Sequence, residues 1–148
     1  MPKTIISDPV RFRYMEAHRK YQLKQYISAV KDHGYIVTGY PDTRKANGLT
    51  KFVINFLTWN GHRATRITSA GRVLGGKYIP GATRRGTADI SATIRGRSVM
   101  LEIKVGKDKP SQEQLREQAI EHSAGGVYEF IHTPEEFILW YDGFLLAL

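Results

Sequence analysis

The chain has 148 residues, no cysteine, 22 Lys+Arg against 14 Asp+Glu and a formal net charge of +8, and its pI is near 9.8. One domain is the expected count at this length, and 41% apolar residues supply enough surface for a buried core. The lack of cysteine excludes disulfide scaffolds, thiol nucleophiles and cysteine-ligated zinc or iron–sulfur centres, so any metal must be held by oxygen or imidazole.

In chain order, Met1 to Lys20 mixes Asp8, Arg11, Arg13, Glu16 and Arg19 with apolar residues and offers no signal-peptide core. No apolar run approaches the roughly 20 residues that cross a bilayer, so the expectation is a soluble, cytoplasmic protein without a membrane partner. Tyr14, Ala17, Tyr21, Leu23, Tyr26, Ile27 and Val30 fall near helical spacing, which predicts one amphipathic helix from about Arg13 to Asp32, stopped by Gly34. The turn-rich run from Pro41 to Gly48 separates an N-terminal helical arm (residues 1–47) from a core (residues 48–148). A second helix is predicted over Leu49–Trp59 with Asn60-Gly61 as its exit, then a strand over His62–Thr68 and a glycine-rich basic stretch from Ser69 to Gly86.

The clearest segment follows. Ile90, Ala92 and Ile94 share one strand face, and Val99, Leu101 and Ile103 line one face of a returning strand, which predicts a β-hairpin. Ser111 to Gln114 reads as an N-cap with Gln at N3, opening a helix to His122 that Gly125-Gly126 ends. A strand over Val127–Ile131 is followed by a second cap at Thr133-Pro134-Glu135-Glu136 and a helix toward Tyr141. The order of elements predicts an α/β fold, a mixed β-sheet flanked by helices.

The charge is uneven. Residues 1–60 hold 10 basic and 4 acidic residues, residues 61–97 hold 8 and 1, and residues 98–148 hold 4 and 9. A basic N-terminal and central surface suits a polyanion, through phosphate contacts that release counterions.

Glu102 and Lys104 lie two residues apart and point to the same sheet face. With Gly96-Arg97 as a two-residue turn, Ser91 pairs with Glu102 and Asp89 with Lys104, leaving Asp89 a diagonal neighbour of Glu102. Two carboxylates and an ammonium on one spot suit a hard divalent cation such as Mg²⁺, with Mn²⁺ as a substitute, and the lysine can orient a water or offset developing phosphorane charge. The same spacing also fits a cross-strand salt-bridge cluster on a solvated face.

Gly86-Thr87-Ala88-Asp89, then Glu102-Ile103-Lys104, then Lys109 to Gln114 together resemble the PD-(D/E)XK nuclease superfamily, and within it the VRR-NUC (virus-type replication-repair nuclease) branch. The likeness runs from about Leu49 to Phe137. It implies a restriction-endonuclease-like core with an N-terminal helical extension and metal-dependent hydrolysis of DNA phosphodiesters, in duplex or branched DNA. It also implies Asp89, Glu102 and the Ile103 carbonyl as metal ligands, Lys104 as the catalytic lysine and Gln114 as a site residue. Relatives made of this domain alone often act as dimers, so a homodimer is a further expectation, with the apolar segment Phe144–Leu148 either at its interface or in the monomer core. Two positions depart from the pattern. Ala88 stands where the family has proline, and no Asp or Glu occurs between Asp42 and Asp89, where the family carries a helix carboxylate. Asn47 falls near that place, so either Glu16 supplies the acid or the site is one ligand short. Gln114 also completes a capping box with Ser111, which by itself accounts for a glutamine there. Gln118 is a weaker candidate one turn on.

Arg63, Arg66, Arg72, Lys77, Arg84 and Arg85 precede the site and Lys107 and Lys109 follow it. Of these, Arg66, Arg72, Arg84, Arg85 and Lys107 are the candidate nucleic-acid contacts, with Arg84-Arg85-Gly86 the strongest because glycine lets a loop approach phosphate closely. Gly71 to Lys77 imitates a phosphate-binding loop, but Tyr78 occupies the Ser/Thr position and Pro80 stops the required helix. His18, His33, His62, His122 and His132 show no close metal-ligand spacing. The rival to a nuclease is a DNA-binding or structural protein that keeps the fold without efficient hydrolysis.

Overall fold

The computed structural model describes residues 8–36, 39–68, 72–81 and 84–148. Asp8 caps the first helix, α1 (Pro9–Gln25), its carboxylate accepting from the Val10 and Arg11 N–H groups while Pro9 occupies the first turn. Val10, Tyr14 and Ala17 recur at helical spacing and are buried. The single helix expected to Asp32 is broken. Tyr26, at φ −135°, interrupts it, and a seven-residue α2 (Ile27–His33) follows with no buried residue, ended by Gly34 at φ 76°. Apolar spacing continues through this stretch, but nothing in the core receives the second half, so packing does not hold it in line.

The next helix, α3 (Ala46–Trp59), carries Leu49, Phe52, Val53, Phe56 and Leu57 on its inner stripe, all essentially without solvent contact. It begins three residues before the expected start. Gly48 permits that: a Cβ there would lie 1.9 Å from the Asp42 carbonyl oxygen, which folds over the first turn.

The strands are β1 (Arg63–Arg66), β2 (Arg72–Leu74), β3 (Lys77–Ile79), β4 (Ile90–Ile94), β5 (Arg97–Ile103) and β6 (Val127–Ile131). They form a four-stranded sheet in the order β1-β4-β5-β6 and a separate two-stranded pair, β2-β3. β1/β4 and β4/β5 are antiparallel and β5/β6 parallel, the parallel step being bridged by α4 (Gln112–Ser123). The last helix, α5 (Pro134–Leu146), starts at a Thr133 cap and outruns the expected end at Tyr141. The fold is therefore α/β with a mixed sheet, and among the described residues it has five helices.

One face of the sheet, made by Ile90, Ala92, Ile94, Val99, Leu101 and Ile103, packs beneath α3 and α5 as the alternation predicts. Tyr14, Phe52, Phe56, Phe137 and Tyr141 build an aromatic layer above it with ring centroids 4.9–6.2 Å apart. Because Val10, Tyr14 and Ala17 belong to the same core, α1 is packed onto the sheet-bearing part of the chain. Phe144 and Leu145 pack partly against this core, whereas Leu146 and Leu148 are exposed. Among the described residues no helix is long and apolar enough to cross a membrane.

The stretch read as a glycine-rich loop contains the β2-β3 hairpin, turned at Gly75-Gly76 with φ 57° and 74°. This replaces the helix a phosphate-binding loop would need.

Candidate active site

The opposite face of β4 and β5 carries the polar residues, and the register there differs from the expected one. Ile90 pairs with Leu101 and Ser91 with Met100, so the turn residues are Arg95 and Gly96. Their φ values of 46° and 79° are the positive pair a type I′ hairpin turn requires. Twist matching favours that turn even with an arginine in the left-handed region. Continuing this register by one residue sets Asp89 beside Glu102, instead of opposite Lys104 as the Gly96-Arg97 turn would have it. The shift is an even number of residues along β5, so the predicted face is kept.

Each of the two acids is anchored by a backbone N–H of the other strand segment. Glu102 Oε2 accepts the Asp89 N–H at 3.1 Å, and Asp89 Oδ2 accepts the Ile103 N–H at 3.0 Å. Glu102 Oε1 lies 3.2 Å from Lys104 Nζ, and both side chains are more than nine-tenths buried. Lys104 Nζ also lies 3.5 Å from Asp108 Oδ2. Gln114, on the first turn of α4, donates from Nε2 to Glu102 Oε1 at 2.5 Å.

The same Gln114 accepts the Ser111 N–H through Oε1, while Ser111 Oγ accepts the Gln114 N–H. The capping box and the site contact therefore coexist, because the two ends of one amide serve them separately. Gln118 points elsewhere and donates to the Tyr128 carbonyl at 3.0 Å.

Electrostatics follow from this packing. Burial, then the nearby Asp89 charge, push the Glu102 carboxyl above its ordinary value, against the opposing pull of Lys104 and of the Asp89 N–H. Burial, helped by Glu102, Asp89 and Glu117, raises the Tyr128 phenol, which stays protonated and donates to the Gly86 carbonyl at 2.9 Å. That bond secures the loop leading into Asp89. Gly86, at φ 81°, has its missing Cβ position 2.4 Å from the Glu113 carbonyl oxygen, so only glycine lets this loop meet the start of α4.

Loop and helix together enclose a cavity of about 410 Å³ lined by Asp89, Glu102, Gln114, Glu113 and the segment Arg84 to Thr87. Arg85 is exposed at its rim. Arg84 lines it too but is engaged by Glu117 at 2.7 Å.

Arg66 and Lys107 are not brought in. Arg66 donates to Asn47 Oδ1 at 2.8 Å, and neither residue lines the cavity. Lys107 is exposed in the turn after β5, also off the lining. Arg72 belongs to β2 by its backbone, and its side chain lies outside the described residues.

Glu16 is likewise remote in function. It pairs with Lys20 at 3.5 Å and borders a different cavity with Phe12, Phe56 and Asn60. Burial of the Val10–Tyr14–Ala17 stripe against α3 and α5 orients α1, and that orientation directs Glu16 away from Asp89. Glu16 therefore does not line the cavity that holds Asp89 and Glu102. Among the described residues no three His, Asp or Glu side chains cluster.

Sequence reading missed Tyr128, Asp108, Thr87 and Glu113. Asp108 stands four residues from Lys104, a spacing that signals an ion pair on a helix, but the segment is a turn. Tyr128 carries no local sign of its contact with a carbonyl 42 residues away.

No family model, no curated protein and no solved structure matches this chain.

Proposed function

We propose that the chain is a metal-dependent endonuclease of the PD-(D/E)XK type, in the VRR-NUC manner, hydrolysing DNA phosphodiesters in duplex or branched DNA. The observation that carries this reading is the meeting of Asp89, Glu102 and Gln114 at one cavity with two arginines at its edge, and with the buried Lys104 held against Glu102. A surface salt-bridge cluster would not bury Glu102 and Lys104 to this degree.

The donor set fits a hard cation that keeps much of its water: Asp89 Oδ1 takes no hydrogen bond from any described residue, and Glu102 stands beside it. Asp89, Glu102 and the Ile103 carbonyl are the residues that would hold Mg²⁺ or Mn²⁺. When bound, the ion supplies Lewis acidity and lowers the pKa of water.

The chain's own groups do the rest. Hydrolysis forms one bond from a water oxygen to phosphorus and breaks one to the leaving sugar oxygen, which takes up a proton. The buried Lys104 ammonium offsets the negative charge that builds on the phosphoryl oxygens. Gln114 fixes the Glu102 carboxylate, and Arg85 with Arg84 holds flanking phosphate.

A second reading, DNA binding without efficient cutting, is favoured by one observation: no third acidic side chain joins the pair among the described residues. Plasmid and a synthetic four-way junction incubated with Mg²⁺ or Mn²⁺ separate the two. The nuclease reading expects cleavage by wild type and losses of about a hundredfold or more in Asp89→Ala and Lys104→Ala. Binding without cutting by all three proteins favours the second reading.

A further inference from the structure

The β2-β3 hairpin is the least explained part of the molecule. Val73, Leu74 and Tyr78 are 60–70% exposed and Ile79 is 40% exposed. Among the described residues no other element packs substantially against the pair. Val73 and Tyr78 are cross-strand partners and share one face, while Leu74 and Ile79 lie on the other with Lys77. A lone two-stranded hairpin is marginal in water, and apolar surface of this kind marks a contact site.

The charge of the sequence around it points to the occupant. Between Asp42 and Asp89 the sequence holds nine Lys and Arg residues and no Asp or Glu. A second copy of the chain is disfavoured, because two-fold pairing would set the basic residues of this part of the sequence against themselves. A polyanion is not.

The hairpin is also tethered to the site. After β1, the Ile67 N–H donates to the Asp89 carbonyl at 2.7 Å, and after β3 the chain reaches Arg84 at the cavity rim. Four residues lie between Ile79 and Arg84, a link of at most about 18 Å. The Gly75-Gly76 tip has open space where side chains would be, and a two-stranded ribbon is narrow enough for the DNA major groove.

We infer that β2-β3 is a DNA-contacting arm, which lays Tyr78 and Val73 into a groove of the duplex beside the bond being cut and leaves Lys77, on the other face, to the flanking phosphates. This rests on the nuclease reading and extends it to how substrate is held. With about 10 Å of strand beyond the tether, the arm reaches at most about eight base pairs from the cavity.

The test uses the full chain carrying Asp89→Asn, so that DNA stays uncut, with Tyr78 replaced by the photocrosslinker p-benzoylphenylalanine. The probes are a linear duplex and a four-way junction whose cut positions have been mapped with the active protein. The expected result is crosslinking to DNA within about eight base pairs of the cut. Lys77→Glu with Tyr78→Ser should weaken binding at least about tenfold. The circular dichroism and melting temperature of that variant should match wild type, since both side chains are exposed. Crosslinking to a second protein chain overturns the inference. So does unchanged binding and cutting by the double variant while wild type cleaves DNA, a result that leaves the nuclease reading standing. If wild type neither binds nor cuts, the nuclease reading falls and takes this inference with it.

Discussion

Gln114 joins the N-terminus of α4 to Glu102, its amide nitrogen donating to the carboxylate while its amide oxygen holds the Ser111 N–H. One side chain thus links a local helix signal to a contact between elements. The two roles separate by substitution. Ser111→Ala removes the cap at a cost of about 1 kcal/mol and should lower the melting temperature while keeping cleavage near wild type. Gln114→Ala removes both contacts and should cut cleavage roughly 10–100-fold. Equal cleavage by the two variants would reduce Gln114 to a cap.

Gly86→Ala tests the close approach of the loop to α4. The new methyl meets the Glu113 backbone, and alanine is strained at φ 81°, so a loss of about 1–3 kcal/mol is expected together with weakened cleavage. Tyr128→Phe leaves the Gly86 carbonyl without its phenol donor and should cost about 1 kcal/mol. Thermal melts of both variants beside a cleavage assay check the order, glycine first.

Arg84 and Arg85 should differ despite being neighbours. Arg84 is engaged by Glu117, whereas Arg85 is exposed at the cavity rim. Arg85→Ala should weaken DNA binding and reduce the slope of log K against log salt by about 0.9. Arg84→Ala should change the slope less, because its charge is already partly neutralised. Binding isotherms across a salt series decide this, and equal slopes for the two variants would show that the Glu117 pair opens on DNA.

The pH dependence of stability should carry a histidine signature. Burial, and then the Arg95 charge, lower the His62 pKa below 6.5, and burial lowers that of His18. The unfolded chain therefore binds more protons in that window, so both groups favour the folded state above 6.5 and lose that contribution as pH falls. His62→Gln should flatten part of this decline, at the cost of altering the bond to the Tyr141 hydroxyl. Melting temperatures measured down through that range, in wild type and variant, provide the check.

Much of the architecture was readable from local signals. The alternation of Ile90, Ala92 and Ile94 with Val99, Leu101 and Ile103 identifies a core face, because side chains on a strand point to opposite sides by turns. Ser111 and Gln114 mark the start of α4 because a capping box is satisfied within four residues. The same periodicity put Glu102 and Lys104 on one face whatever the exact pairing.

Relations between distant residues were not local properties. Whether Asp89 stands beside Glu102 or diagonal to it depends on a turn at Arg95-Gly96 that is selected by the twist of both strands. Glu16 could not be assigned from spacing, since the direction it faces is set by burial of Tyr14 among Phe52 and Trp59. The break at Tyr26 has the same origin: helical spacing persists, but the core accepts only the first stretch.

The amino-acid order by itself determined the β4-β5 hairpin, the capped starts of α4 and α5 and which face of each strand is apolar, because backbone hydrogen bonding, caps and side-chain alternation act within a few positions. Tertiary structure alone decided which groups meet: the backbone bonds that Asp89 and Glu102 accept, the reach of Gln114, the Tyr128–Gly86 clasp and, among the described residues, the lack of a neighbour for the β2-β3 pair. Those contacts depend on how whole elements pack and on which surfaces are left without a neighbour, a balance settled over the entire core.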